Sequence, residues 1–587
     1  MATNEGKALW TAASDGNLEE AEMLLQNGEN VNGKDPDGAT PLYAAAEKGH
    51  TDVVELLLKH NACVNEADKN GWTPLIIAAF EGQMEVVKLL LTQNADVNLA
   101  EKDGWTPIFM AAQNGHLDVV EQLLKHNADI KLASKDGRTP LYIAAGKGHM
   151  DVVELLLKHN ARVNKANKKG WTPLMIAAQE GHMNVVELFL TQNADVNVAN
   201  NIGTTPLYTA AQNGHMDVVA KLLKHSAAVN KSREDGWTPL LIAVKNGHLD
   251  VSELLLENKA MVNKANKRGS TPLFLAAQEG HKDVAGLLLK YGAEVDKKTC
   301  GATPLYMAAQ KGFQDLVGLL LKHNANPNLS LKSDGSTPLL IAAKKGHGGV
   351  LEQLLNYDVD VNQSNKGGVS ALYSAVLGGH KDAVEVLLRH KANITQGNKD
   401  GVPPLYMASQ EGFTDVVILL LEHNADVHQA TRDGFFPLAI ASRQGHVDVM
   451  KVLLKHGANI NKTSKKNRAT PLRMAAEVGQ EAAVKFLLRK HAKVDKPDIY
   501  GVTPLFMAAQ RNHKGVARLL LKHGADANMA KKDGETPLFI AAGRGHKNMV
   551  KLLLKHNANP KQARKDGCTP YRIAQQEGHK SIAKLVC

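Results

Sequence analysis

The strongest constraint on this sequence is an internal repeat with a period of about 33 residues. The string Asp-Gly-x-Thr-Pro-Leu begins at Asp37 and occurs 17 times, with substitutions, up to Asp566. Most steps between copies have the same length, one is a position shorter and two are a position longer. With a degenerate first copy from Asn4, the chain of 587 residues contains 18 repeats. Such regularity excludes one large core and predicts small units that bury their apolar faces against their neighbours.

Each repeat has the start and stop signals of two short helices. In the second copy Thr40 is placed to cap a helix, and Pro41 occupies its first turn, where a missing N–H costs nothing. An apolar stripe follows and ends at Gly49. Valines and leucines within 52–59 predict a second helix, and Asn61 is suited to the left-handed turn that ends it.

The pattern Thr-Pro-Leu-x-x-Ala-Ala-x-x-Gly-His-x-x-Val-Val-x-Leu-Leu-Leu-x-x-x-Ala-x-Val-Asn resembles the ankyrin repeat, and the resemblance covers essentially the whole chain. It implies an all-α repeat fold, a solenoid of helix-turn-helix units with β-hairpin fingers. Finger tips and first helices are then expected to line a concave groove. The departure from the family is mild: the His that often follows Thr-Pro-Leu is here mostly Tyr, Phe or an aliphatic residue.

We expect a single array over residues 1–587, with a polar capping repeat at each end. The expected divisions are an N-terminal capping repeat at 4–36, acidic-to-neutral repeats at 37–432, basic repeats at 433–565 and a C-terminal capping repeat at 566–587. The first copy lacks Thr-Pro-Leu and the last ends inside its second helix. The sequence pattern therefore predicts an array that is capped at both ends and complete.

Charge is distributed unevenly along the repeats. Residues 433–587 contain 29 Lys and Arg against 11 Asp and Glu, whereas the rest of the chain has 41 against 49. The basic third could dock an acidic protein segment, anionic lipid headgroups or nucleic acid, or it could only aid solubility. Apart from Phe435 no tip there carries an aromatic platform, so nucleic acid is the less favoured ligand. The basic binding candidates are Lys465, Lys466, Arg468, Lys531, Lys532, Arg544, Lys547, Arg564 and Lys565.

Aromatic residues recur at two positions of the repeat. The position before Thr-Pro holds the binding candidates Trp72, Trp105, Trp171, Trp237 and Phe435. Repeats without a tip ring often have one at the second residue after Pro, as at Tyr43, Tyr142, Tyr208, Phe274, Tyr306, Tyr373, Tyr406, Phe506 and Phe539. Either the rings fill a gap between tip and helix, or they form a hydrophobic track near the inner face for an extended peptide.

Catalytic and metal-binding functions are not indicated. Of 25 histidines, 13 begin the second helix and ten end it, which predicts capping or packing rather than an ion site. No phosphate-binding loop, zinc helix or nucleophile elbow occurs, and the four cysteines are far apart. We therefore expect no enzyme, no metal and no cofactor. The chain also lacks a signal-peptide core and a membrane-length apolar run, which predicts a cytoplasmic or nuclear protein that is not secreted.

The sequence thus predicts a non-catalytic interaction scaffold that binds protein partners on its concave groove and tips, as a monomer unless it joins an assembly. A tryptophan before Thr-Pro-Leu also resembles the ankyrin-repeat region of ribonuclease L, which grips an oligoadenylate. Nucleotide binding is therefore one alternative. Nucleic-acid or anionic-lipid binding through the basic repeats, and a structural role in a large assembly, are the others.

Overall fold

The computed structural model describes residues 7–587, so positions 4–6 of the predicted N-terminal repeat lie outside it. The described residues form 36 α-helices of at most nine residues, two in each of 18 repeats. They divide into two compact bodies, of which the first ends at Cys300 and the second begins at Gly301. The predicted all-α repeat fold is confirmed.

The helices of the first body are α1 (Lys7–Asp15), α2 (Leu18–Gln26), α3 (Pro41–Lys48), α4 (Thr51–Lys59), α5 (Pro74–Glu81), α6 (Met84–Thr92), α7 (Pro107–Asn114), α8 (Leu117–Lys125), α9 (Pro140–Lys147), α10 (Met150–Lys158), α11 (Pro173–Glu180), α12 (Met183–Thr191), α13 (Pro206–Asn213), α14 (Met216–Lys224), α15 (Pro239–Lys245), α16 (Leu249–Glu257), α17 (Pro272–Glu279) and α18 (Lys282–Lys290).

The helices of the second body are α19 (Pro304–Lys311), α20 (Gln314–Lys322), α21 (Pro338–Lys345), α22 (Gly348–Leu355), α23 (Ala371–Leu377), α24 (Lys381–Arg389), α25 (Pro404–Glu411), α26 (Thr414–Glu422), α27 (Pro437–Gln444), α28 (Val447–Lys455), α29 (Pro471–Val478), α30 (Glu481–Arg489), α31 (Pro504–Gln510), α32 (Lys514–Lys522), α33 (Pro537–Gly543), α34 (Lys547–Lys555), α35 (Pro570–Gln576) and α36 (Lys580–Ala583). Within each body, first helices pack on first helices of adjacent repeats and second helices on second helices.

The first helices begin and end where the sequence predicts. Thr40 Oγ1 accepts a hydrogen bond from the Tyr43 amide at 3.2 Å, and the equivalent cap recurs in most repeats. Gly49 ends the helix in the left-handed conformation with φ of 78°. Two caps are missing, because Pro403 and Phe436 have no side-chain oxygen to offer.

In most repeats a histidine at the start of the second helix joins the repeat to the one before it, whereas Gln83, Phe313, Phe413 and Gln480 take this position in four others. His116 Nε2 donates a hydrogen bond to the Phe80 carbonyl at 2.9 Å, and its ring lies against Gly82. A Cβ atom on Gly82 would lie 2.6 Å from the ring, so this glycine supplies both a positive φ and the space for the histidine. Within residues 7–587 the bond is made by His50, His116, His149, His182, His215, His248, His281, His347, His380, His446, His513 and His546.

A second connection between repeats comes from an asparagine that follows the second helix. Asn65 Oδ1 accepts a hydrogen bond from the Asp96 amide of the next repeat at 2.8 Å. The same bond is made by Asn32, Asn98, Asn164, Asn197, Asn230, Asn263, Asn362, Asn461 and Asn528. The valine–asparagine signature of the repeat therefore has a direct structural role.

The β-hairpin fingers that the resemblance implied are not present as strands. Among residues 7–587 only isolated bridges occur outside helices, such as the one that joins Ser364 and Ser370. The tip at 35–39 is closed by the Asp35 amide, which donates to the Ala39 carbonyl at 3.0 Å, and by the Asp35 carboxylate, which accepts from the Ala39 amide at 2.8 Å. The helix begins two residues later at Pro41, so the returning arm is too short for a ladder. A single backbone bond, from the Lys69 amide to the Asp37 carbonyl, joins this tip to the next.

In the described part of the chain, no helix has both the length and the apolar character that crossing a bilayer requires.

Replacing Gly115 by Ala should destabilise the stack more than replacing Gly292. Both glycines have φ near 80°, but a Cβ on Gly115 would lie 2.5 Å from His149 Nδ1, whereas nothing lies within 4 Å at Gly292. We expect a loss of about 1 kcal/mol for Gly292→Ala and about 2 kcal/mol or more for Gly115→Ala. Chemical denaturation with hydrogen exchange would measure both. Equal losses would show that the histidine contact adds nothing.

Candidate binding surfaces on tips and helices

The tip tryptophans of the first body lie on the first helices of their own repeats. We call the surface made by tips and first helices the inner face. All four rings are half-buried. Trp72 meets the ring of Phe80 edge to face, with centroids 5.6 Å apart, and Lys245 Nζ lies 5.4 Å from the ring of Trp237. Phe80 and Lys245 occupy the same position of their repeats, so the ring is placed over the same helical turn in both.

The other two tryptophans differ in their surroundings. Trp105 stacks parallel to Phe109, which is fully buried, with centroids 6.1 Å apart. Trp171 borders a groove of about 760 Å³ that also includes Tyr142, Ile176 and the tip at Lys169. The groove lies between the tips of two adjacent repeats and combines an apolar floor with charged walls.

The charged wall of this groove is itself ordered by an ion pair. Arg138 Nε lies 2.6 Å from Asp136, and the Ser134 hydroxyl donates to the same carboxylate. Although partial burial works against it, the Ser134 hydrogen bond and the Arg138 charge lower the pKa of Asp136. The carboxylate is therefore ionised, and Lys135, Lys168 and Lys169 keep the rim basic.

The second aromatic position is part of the core rather than of the inner surface. Tyr208, Phe506 and Phe539 are each 2% exposed, and of the nine rings only Tyr43 is half-buried. Burial, assisted by the Asp334 charge, raises the pKa of Tyr306 to about 12. The alternative that these rings fill a gap is therefore confirmed for this position, and they do not line a peptide track.

Cations of the following repeat cover three of these buried rings. The guanidinium of Arg233 lies 5.4 Å from the Tyr208 centroid, and Arg564 lies 5.2 Å from that of Phe539. Lys531 Nζ lies 5.7 Å from the Phe506 centroid. The sequence separation between ring and cation is the same in all three pairs, so the same two positions of successive repeats meet each time.

Lys531 and Arg564, two of the predicted basic binding residues, are engaged within the protein. Lys531 Nζ lies 2.8 Å from both Asp533 and Glu535. Arg564 pairs with Glu535 at 3.2 Å and with Asp566, whose pKa its hydrogen bond lowers to about 2. Both cations thus order the tips rather than stand free for a partner.

The remaining seven basic candidates are exposed. In the described chain none of them has a carboxylate oxygen within 4 Å, and Arg468 replaces the tip glycine with a φ of 57°. Five lie on tips, Arg544 follows α33 and Lys547 begins α34. The seven are Lys465, Lys466, Arg468, Lys532, Arg544, Lys547 and Lys565.

Sequence reasoning missed a buried ion pair in the basic repeats. Arg473 occupies the ring position and is 8% exposed, and its Nε lies 3.2 Å from Asp498 of the next repeat, which is 6% exposed. Glu477 also pairs with Arg473 at 3.2 Å. Arg473 and Asp498 are as far apart in sequence as Phe506 and Lys531. Arg473 therefore occupies the position of the ring, and Asp498 the position of the cation, in the ring–cation pairs of other repeats. That shared separation was the signal that could have revealed it.

Tyr500 corrects the expectation that Phe435 is the sole tip aromatic of the basic third. Its side chain is 61% exposed at the tip of its repeat. It borders a groove of about 530 Å³ together with Arg473, Arg511 and Lys532. Tyr500 was overlooked because it occupies the usual Asp position, two residues before the position of the tryptophans. Phe435 itself is half-buried.

Within residues 7–587, six of the histidines at the ends of second helices bond to their own helices, and His390 Nε2 instead lies 3.1 Å from Glu352 of the preceding repeat. His126 Nδ1, for example, donates to the Gln122 carbonyl at 3.0 Å. Across residues 7–587 no three His, Cys, Asp or Glu side chains come together as metal ligands.

Replacing Asp498 by Asn should leave Arg473 short of a buried partner. Asn keeps the side-chain oxygen that accepts from the Tyr500 and Val502 amides at 2.9 Å, so the tip itself is preserved. We expect a loss of about 2 kcal/mol or more by chemical denaturation. The double variant R473F/D498N keeps the tip oxygen and pairs a ring with an asparagine, as Tyr373 and Asn398 do in another repeat, and should recover most of it. Equal losses in single and double variants would contradict the register argument.

Comparison with known protein families agrees with the architecture. A family model described as ankyrin repeats in three copies matches overlapping segments that together span 9–587. The segments are 9–101, 63–134, 83–167, 108–200, 174–266, 221–299, 259–331, 305–398, 372–464, 438–531 and 523–587. No curated protein matches the chain. With tandem helix pairs, capping threonines and family matches throughout, the chain belongs to the ankyrin-repeat family.

Proposed function

We propose that this protein is a non-catalytic scaffold whose first body binds an extended segment of a partner protein along its inner face. Ankyrin repeats generally serve as protein–protein interaction modules. The observation that carries the proposal is the set of four tip tryptophans, each held half-buried on its own repeat.

The geometry around Trp171 supports a peptide ligand. A ring that is fixed on one side loses little conformational freedom on binding and can still bury its free edge against a ligand. Ile176 and Tyr142 supply further apolar surface in the groove, and Lys168 and Lys169 at the rim can meet acidic side chains or backbone carbonyls. An extended chain fits an open groove better than a compact small molecule does.

Recognition is distributed in this proposal. Trp72 and Trp105 belong to adjacent repeats, and Trp171 follows two repeats later. Each contributes one anchor, and the tips between them add polar contacts. Different partners could thus use different subsets of repeats, which is what a scaffold requires.

A peptide library displayed against the full chain should yield ligands whose affinity depends on Trp171. Trp171→Ala removes the ring that borders the groove, so we expect Kd for the selected peptide to rise about 30-fold. The matched control is Tyr291→Ala, which removes a half-buried ring from the end of a second helix and should leave Kd unchanged. Fluorescence anisotropy measures both. An unchanged Kd for folded Trp171→Ala would contradict the proposal.

A further inference from the structure

A continuous basic face covers the second helices of the last repeats, on different elements from the tips considered above. We call it the outer basic face and define it by Lys514, Arg518 and Lys522 on α32 and Lys547, Lys551 and Lys555 on α34. All six side chains are exposed. Within each helix they are four residues apart, and a step of four turns only about 40° around the axis, so they share one side.

Packing of α32 against α34 makes the two rows neighbours. Because Arg518 and Lys551 are separated by one repeat length, they occupy equivalent positions in adjacent repeats. Lys485 on α30 and Lys584 after α36 continue the same row on either side, and both are exposed. The segments 514–522 and 547–555 contain no Asp or Glu. The carboxylate of Glu481 on α30 borders the face, because it lies against Gly515.

The same face of the first body is electrically balanced. Glu55 pairs with Lys59 at 2.9 Å, and Glu121 with Lys125 and Glu154 with Lys158 at 3.1 Å each. At the position of Glu55, Glu121 and Glu154, helix α32 has Arg518 and helix α34 has Lys551. The acidic residue found in the first turn of α4, α8 and α10 is also absent from both helices.

Helix stability does not explain these substitutions. Lys514 and Lys547 begin their helices, where the helix dipole disfavours a positive charge. Like charges four residues apart repel one another as well. Throughout the described residues none of the six cations has a carboxylate oxygen within 4 Å. The helix dipole favours only Lys522 and Lys555, in the last turns, so the other four cations do not stabilise the isolated helices.

We propose that the outer basic face binds the surface of an anionic membrane. The three cations of each helix extend about 12 Å along its axis, and the two helices lie about 10 Å apart. A bilayer surface presents acidic headgroups to all six cations together. None of the six positions offers an aromatic ring for base stacking. Clusters of this size attract acidic headgroups in proportion to the number of cations near the surface. The proposal does not depend on peptide binding at the inner face.

The test is sedimentation of the full chain with vesicles containing about 30 mol % phosphatidylserine, compared with pure phosphatidylcholine. The wild type should bind only the acidic vesicles, and added salt should release it. The affinity of the variant R518E/K551E for acidic vesicles should be lower than that of the wild type by a factor of about 30 or more. It introduces the Glu that the first body has at this position, so each new Glu can pair with Lys522 or Lys555 and folding should be retained.

The control variant K366E/K399E makes the same change in net charge at two exposed tips of the same body. It should bind acidic vesicles within about threefold of the wild type, because those tips belong to the other face. Equal loss in both variants would overturn the proposal, since net charge alone would then govern binding. Failure of the wild type to bind acidic vesicles at low salt would also overturn it. The proposal would likewise be overturned if the wild type bound a short DNA duplex more tightly than vesicles at the same salt and R518E/K551E lost this DNA binding.

Discussion

Most repeats of this protein depend on the contact between a histidine and the glycine of the preceding repeat. Helices of nine residues or fewer are not stable alone in water, so they persist only when neighbours cover them. The His116 ring fills the space above Gly82 and holds the Phe80 carbonyl at the end of the preceding first helix. A side chain on the glycine would exclude the ring. The interlock therefore fixes two positions of the repeat and leaves others free to vary.

The free positions lie on two different faces. On the inner face the tip position carries tryptophans that rest on the first helices. On the outer face the exposed positions of the second helices change from Glu–Lys pairs to unbroken rows of cations. Since the stack is maintained by other residues, both faces can specialise without loss of fold. We interpret this separation as the basis for two kinds of partner.

The candidate site was predictable in part. Tip tryptophans and exposed tip lysines could be identified because they depart from the repeat pattern. The roles of Lys531 and Arg564 could not, because a lysine or arginine in a tip looks the same in sequence whether it faces a partner or the carboxylates beside it. The ring position left two alternatives open for a related reason. Tyr208 and Phe506 follow the proline that begins the first helix, and only packing of the next repeat shows that they are buried.

The sequence by itself determined the family, the number of repeats and the ends of the helices, because these follow from local signals that recur in every repeat. Thr-Pro starts, glycine stops and histidine columns need no knowledge of distant contacts. The tertiary structure alone decided which positions of adjacent repeats meet, so that Arg473 finds Asp498 and Lys531 covers Phe506. It also decided that the tips close as turns rather than strands. The register between repeats sets these outcomes, and it arises only when one repeat packs on the next.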